Sequence, residues 1–413
     1  MRKRLVITFL LVATAVTAAF GVASLQQKKI IGGLFSLSGN WSILGKNSEA
    51  AVYIAIEDVN QYFYKKGSYM RLRPLIDDTK LEPDRALQLF IATADRGIKV
   101  VIGPQSSEEL EKIKDYADMH GVILISQSST AHSLAIPSDN IIRMCPSDIK
   151  EGEAISTLMW DQGIKAYISM ARNDAGSQEQ QMSTKKAFTA AGGEVAGGVQ
   201  YSPDASSNFA NDLNYLDGLV GQAIGKYGAE GVAVYLTAFD EVATIFKEAS
   251  SSKYKNLGKV RWYGSDGSAM SLALIKDARA AEFAEQVGFP CPLFGLFDAN
   301  KAKWEPVKKK IKEWTGEEAD AFALAAYDAV WLVALAYDSL DDGNVDDLKN
   351  AIIRQSYVYE GITGPVVLDV SGDRKYGFFD FWAVRKVGGK YQWVKIGTFD
   401  DSPESPRHLI LLN

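Results

Sequence analysis

Apolar β-prone runs alternate with helix-length amphipathic stretches along most of this chain, and the alternation starts twice. Residues 29–35 read as a strand. Residues 46–64 read as a helix, with Ala50, Ala51, Ile54, Ala55, Val59 and Phe63 on one apolar stripe. A strand over 71–76, a turn at Asp77-Asp78-Thr79, a helix over 83–96 and a strand over 99–102 follow. The rhythm resumes with strands at 166–170, 194–201, 231–236 and 260–263, separated by helices at 178–191, 211–224 and 241–250. Residues 307–314 and 319–339 are helical again, and 363–396 is β-rich with glycine turns. A βαβα order of this kind buries a parallel sheet between helices. The expected class is therefore α/β, with two doubly wound units of similar size.

Two neighbouring strands end in hydroxyl clusters. Val100-Val101-Ile102-Gly103-Pro104 runs into Gln105, Ser106 and Ser107; Val122-Ile123-Leu124-Ile125 runs into Ser126, Gln127, Ser128, Ser129 and Thr130. Each cluster is placed to open a helix, so free N–H groups, hydroxyls and positive helix ends would converge outside the carboxyl ends of the strands. That volume suits a small carboxylate. Ser106-Ser107-Glu108-Glu109 also has the form of a capping box, which needs no ligand; two clusters on successive strand ends favour a joint anion site.

Other motifs narrow the chemistry. The loop Gly39-Asn40-Trp41-Ser42-Ile43-Leu44-Gly45-Lys46-Asn47 imitates a phosphate loop, but the glycines are too far apart and Asn47 stands where Ser or Thr is needed. Asp77-Asp78 reads as a solvated pair before a turn. Asp266, in Tyr263-Gly264-Ser265-Asp266-Gly267-Ser268, is either a turn residue or a carboxylate for a ligand ammonium group. The three histidines, His120, His132 and His408, are scattered without metal-ligand spacing. No nucleophile–base pair is visible, so an enzyme is the weakest reading and no cofactor or metal is expected. A formal charge of −6 lacks the basic stripe that nucleic acid requires.

The N-terminus has the features of a secretory signal over 1–24. Arg2, Lys3 and Arg4 precede an apolar run from Leu5 to Ala23, and Gly21, Ala23 and Ser24 offer a cleavage site. An uncleaved anchor is the alternative, since the run is just long enough to span a bilayer. The only two cysteines, Cys145 and Cys291, can pair in an oxidising compartment or remain buried thiols.

From about Lys29 to Arg385 the chain resembles the branched-chain-amino-acid type of solute-binding protein, the periplasmic receptors of ABC importers. The landmarks are Leu37-Ser38-Gly39 with Gly45, Asp78, Val101-Ile102-Gly103-Pro104 with Ser107, and Ile125-Ser126 with Thr130. Ala326-Tyr327-Asp328-Ala329-Val330, Gly361-Ile362-Thr363-Gly364-Pro365-Val366, Leu368-Asp369 and Gly372-Asp373 complete them. The resemblance implies two Rossmann-like lobes, 29–143 plus 292–363 and 147–288 plus 366–413. Hinge crossovers would lie near 143–146, 289–292 and 364. It places Cys145 and Cys291 side by side in two crossovers, which favours a hinge disulfide. It implies that Ser107 and Thr130 bind an α-carboxylate, that the backbone of Ser128, beside Ser129, accepts from an α-ammonium, and that Asp266 completes the ammonium cage. Ala175 stands where the family often has an aromatic over the ligand, Leu44 is the first-loop position that can be aromatic, and Phe239 keeps an aromatic wall. No Arg or Lys is expected in the side-chain pocket. The implied protein is a monomer outside the cytoplasm that closes on a neutral amino acid and hands it to importer permease subunits. A membrane-anchored sensing module and a binder of amides, urea or aromatic acids are the alternatives.

Overall fold

The computed structural model describes residues 27–202, 208–340, 343–401, 405 and 408–412; the expected signal segment, 1–24, lies outside them. The first part of the chain runs β1 (Lys28–Phe35), α1 (Ser42–Lys65), β2 (Arg71–Asp78), α2 (Pro83–Asp95), β3 (Val100–Ile102), α3 (Ser107–His120), β4 (Ile123–Ser126), β5 (Ile141–Arg143). Its five strands form a parallel sheet in the order β2-β1-β3-β4-β5. The order reverses beside β1, and ligands of such sheets bind outside the carboxyl ends at that reversal.

The second part runs α4 (Asp148–Asp161), β6 (Ala166–Arg172), α5 (Ala175–Ala190), β7 (Glu194–Tyr201), α6 (Ala210–Tyr227), β8 (Val232–Thr237), α7 (Val242–Ala249), β9 (Arg261–Gly264), α8 (Leu272–Lys276), α9 (Ala278–Val287). These strands make a parallel sheet in the order β7-β6-β8-β9. The remainder is β10 (Cys291–Phe294), α10 (Lys301–Thr315), α11 (Ala321–Asp338), α12 (Val345–Ser356), β11 (Glu360–Gly361), β12 (Gly364–Pro365), β13 (Phe378–Val387), β14 (Lys390–Asp400) and β15 (Leu409–Leu411). An antiparallel sheet, β10-β13-β14-β15, continues from the second unit, with Gly264 N–H donating to Pro290 O at 3.0 Å.

Two apolar cores explain why the late helices return to the first unit. Ala51, Ala55 and Val59 of α1 share one core with Ala325, Val330 and Val333 of α11. α11 is long and apolar enough to cross a membrane, yet it is mostly buried within the protein. The second core holds Phe246, Trp262, Phe283 and Phe289 in edge-to-face contacts at 4.6–5.8 Å. Each such side chain contributes roughly 1.5–3 kcal/mol by leaving water.

Polar side chains tie the connecting segments. Arg143 donates from Nε to Asp373 at 2.6 Å, in a buried ion pair that joins the end of β5 to the segment before β13. Asp328 of α11 accepts from Ile362 N, Thr363 N, Thr363 Oγ1 and Tyr359 Oη at 2.6–2.9 Å. The Ala326–Val330 motif thus anchors the turn between β11 and β12. Asp78, expected to be solvated, instead accepts from Leu37 N and Ser38 Oγ at 2.8 and 2.6 Å and fixes the loop after β1.

The expected hinge disulfide is absent. Cys145 and Cys291 are both free and buried. Cys145 belongs to the core around α1 and α11 and its thiol donates to Ser129 O at 3.3 Å; Cys291 belongs to the core around Phe289. Each thiol is packed into its own core, and burial pushes both far above the usual thiol range.

Candidate functional site

The hydroxyl clusters after β3 and β4 meet as the sequence suggests. β3 and β4 are adjacent, pairing Val100 with Ile123 through Ile102 with Ile125. Ser106 caps α3 in a capping box with Glu109, its Oγ accepting from Glu109 N at 3.3 Å. That leaves Ser107 in the first turn of α3, facing the second cluster. Its hydroxyl lies 2.9 Å from Ser129 Oγ and accepts from Ala131 N at 3.2 Å. Ser128 Oγ donates to Gln105 O and Ser126 Oγ to Pro104 O, both at 2.7 Å, which locks one cluster onto the other. Ser107, Ser128 and Thr130 line a cavity; Ser129 supports Ser107 from behind it.

The second cluster does not open a helix. It leads into a single 3-10 turn, His132–Leu134. Pro137 cannot donate to a helical ladder and restricts the residue before it. The second positive helix end comes instead from across the cleft. α5 begins at Ala175, capped by Asp174, whose side chain accepts from Ser177 N at 2.8 Å. A Cβ placed on Gly176 would sit 3.6 Å from Ser107 Oγ, so two helix N-termini meet over the cavity. Ala175 itself does not line it; Gly176 and Ser177 do.

The wall built by α4 and the end of β9 carries acid, and it reaches the second hydroxyl cluster: Asp148 N–H donates to Thr130 O at 2.9 Å, and its carboxylate is hydrogen-bonded by the Thr130 side chain. Asp266 follows β9, its N–H donating to Glu151 Oε1 at 3.0 Å and its carboxylate accepting from Gly267 N at 2.6 Å. Burial raises its pKa to about 6. Glu151 and Asp148 in the first turn of α4 are buried, and burial raises both strongly, with Asp266 adding to each. Among the described residues, none of the three forms an ion pair. Asp148 and Asp266 line the cavity. Unpaired buried carboxylates in a closed site attract a cationic group.

Two lining residues were not legible in advance. Trp41, within the loop that imitates a phosphate site, stacks on Phe239 at 4.8 Å and 21°. The predicted first-loop position, Leu44, is buried in the core and faces a neighbouring chamber. Arg172, at the end of β6, also lines this polar cavity. It pairs with Asp174 and with Glu241 at 3.0 Å, and its guanidinium lies 4.8 Å from the Phe239 ring centre. Its charge is therefore matched locally. The only signal for either residue was its place at a strand end or strand-end loop. The cavity encloses about 50 Å³, room for a few water-sized groups at roughly 10–15 Å³ each.

Comparisons with known proteins bear on the family and the fold. The family described as "Receptor family ligand binding region" matches residues 47–386. An uncharacterised protein of Methanocaldococcus jannaschii is 26% identical over 390 residues, covering 90% of this chain and 89% of that one. The leucine-, isoleucine-, valine-, threonine- and alanine-binding protein of Pseudomonas aeruginosa is 24% identical over 404 residues, covering 96% and 97%. A solute-binding protein of an R. palustris ABC transporter, solved with benzoate, superposes with a TM-score of 0.70 at 18% identity, covering 89% of this chain and 96% of that one. With two doubly wound units and a cavity at their strand ends, the chain belongs to the receptor family ligand binding region and has the type I periplasmic binding protein fold.

Proposed function

We propose that this protein is an extracytoplasmic solute-binding protein. It captures a neutral amino acid between two lobes by hinge closure and delivers it to the permease subunits of an ABC importer. The observation that carries this reading is the polarity of the cavity. Ser107, two helix N-termini and Thr130, whose hydroxyl is shared with Asp148, offer donors to a carboxylate at one side, and half-buried Asp266, which has no ion-pair partner among the described residues, offers charge to an ammonium at the other. A zwitterion satisfies both; a plain carboxylic acid leaves Asp266 unmatched. The lobes follow the expected 29–143 plus 292–363 and 147–288 plus 366–413, with crossovers near 143–146 and 289–292, except that Val366 and Leu368 pack in the core around α1 and α11 and Asp373 pairs with Arg143, which moves the third crossover from near 364 to between Arg374 and β13. A ligand that touches residues of both stabilises the closed form. The binding protein of Pseudomonas aeruginosa named for five neutral amino acids supports the ligand class. The basic n-region and apolar run at 2–23 support export to a periplasmic or extracellular location.

The test is a thermal-shift screen of refolded, ligand-stripped protein against the twenty amino acids, urea, short amides and benzoate. A ligand specific for the folded state adds about 2.7 kcal/mol at a hundred times its Kd. Stabilisation by a group of neutral amino acids is expected. Stabilisation by benzoate or amides alone would overturn the role of Asp266.

A further inference from the structure

Beyond Trp41 lies a second chamber of about 440 Å³, within the range of roughly 300–1,000 Å³ usual for small-molecule sites. Its walls are mainly apolar by area, with Leu272, Ile275, Phe294, Trp382 and Trp393, but they also carry Lys308 and five carboxylates, so the expectation of a side-chain pocket without Arg or Lys does not hold for it. The chamber and the polar cavity share Trp41 as a common wall. Phe239, stacked on Trp41, lines the polar side; Gly267, which lines the apolar side, lets Phe239 approach so closely that a Cβ there would lie 2.6 Å from the ring. Asp320 lines the apolar chamber, yet its charge reaches Asp266 in the polar one. The two spaces are therefore parts of one cleft divided by a thin aromatic partition. Trp41 holds its place with a left-handed backbone, φ 57°, a conformation uncommon for a bulky residue.

The polar cavity alone has room for the charged end of an amino acid and little more. We infer that the second chamber receives the ligand's side chain once Trp41 swings aside, so that the ligand is an amino acid with a large apolar or aromatic side chain. This rests on the amino-acid reading above. It assigns Trp41 as the residue that admits the side chain, and the chamber as the determinant of its size.

Calorimetry with alanine and phenylalanine tests it, on the stripped protein and on Ala269→Phe, which narrows the chamber from its wall until a second ring no longer fits beside Trp382 and Trp393. Phenylalanine should bind at least about tenfold tighter than alanine to the natural protein. In Ala269→Phe that advantage should vanish while alanine affinity is kept, which also shows that the variant folds. Ile275→Trp narrows the same chamber from α8 and serves where Ala269→Phe loses alanine as well. Equal affinity for the two amino acids, or an advantage that survives both narrowed variants, overturns the inference and leaves the amino-acid reading standing. Binding of neither amino acid, with benzoate or an amide bound instead, overturns both.

Discussion

Asp266 is half-buried with buried Glu151 and Asp148 close by, and its carboxylate holds one backbone hydrogen bond, from Gly267. Its pKa of about 6 in the fold lies above the unfolded value of roughly 3.9. Folding thus favours the neutral form, and the ligand-free protein loses stability as pH rises through that interval. Ammonium capture needs the ionised form. Affinity for the bound amino acid should therefore weaken as pH falls below about 6, and calorimetry on Asp266→Asn should show weaker binding with a flatter pH profile. An identical profile in the variant would remove Asp266 from the site. The residue-scale picture also shows what a sequence reveals. Ser107 and Thr130 were legible because strand-end hydroxyls are local chemistry. Trp41 and Arg172 were not, because Trp41 matters through Phe239 across the cleft and Arg172 through Asp174 and Glu241.

Helices and turns set where those residues stand. The sequence signalled α3 by its capping box, and α1 and α11 by their apolar positions. It did not signal α4, because Asp148, Glu151 and Ser156 are buried beside Ile155, Leu158 and Met159 and break up the apolar stripe. It also suggested a helix after Thr130 that Pro137 prevents. At this scale the strongest dependence is on Asp328. Asp328→Ala would leave three or four buried donors around β11 and β12 without a partner. At about 1–3 kcal/mol for each unsatisfied group, unfolding by urea should show a loss of at least about 3 kcal/mol. A loss below about 1 kcal/mol would mean the turn is held by other contacts.

Across the whole molecule, the βαβα rhythm conveyed two parallel sheets, and the cores show why α10 to α12 return to the first of them. Chain order alone could not give that, since it depends on α11 burying its apolar surface against α1. The cysteines illustrate the same limit: crossovers that run side by side in a related family do not place two sulfurs within bonding reach. Thiol labelling should find both Cys145 and Cys291 protected in the folded protein and both reactive after denaturation without reductant. A single intact disulfide by non-reducing peptide mapping would contradict the packing described. The central claim is that closure captures a zwitterion, and one comparison tests it most directly. Calorimetry should be run with the tightest-binding amino acid and with its counterpart bearing hydrogen in place of the α-ammonium. Loss of about 2–5 kcal/mol for the plain acid is expected from leaving half-buried Asp266 unpaired once the ligand covers it; equal affinity for the two would contradict it.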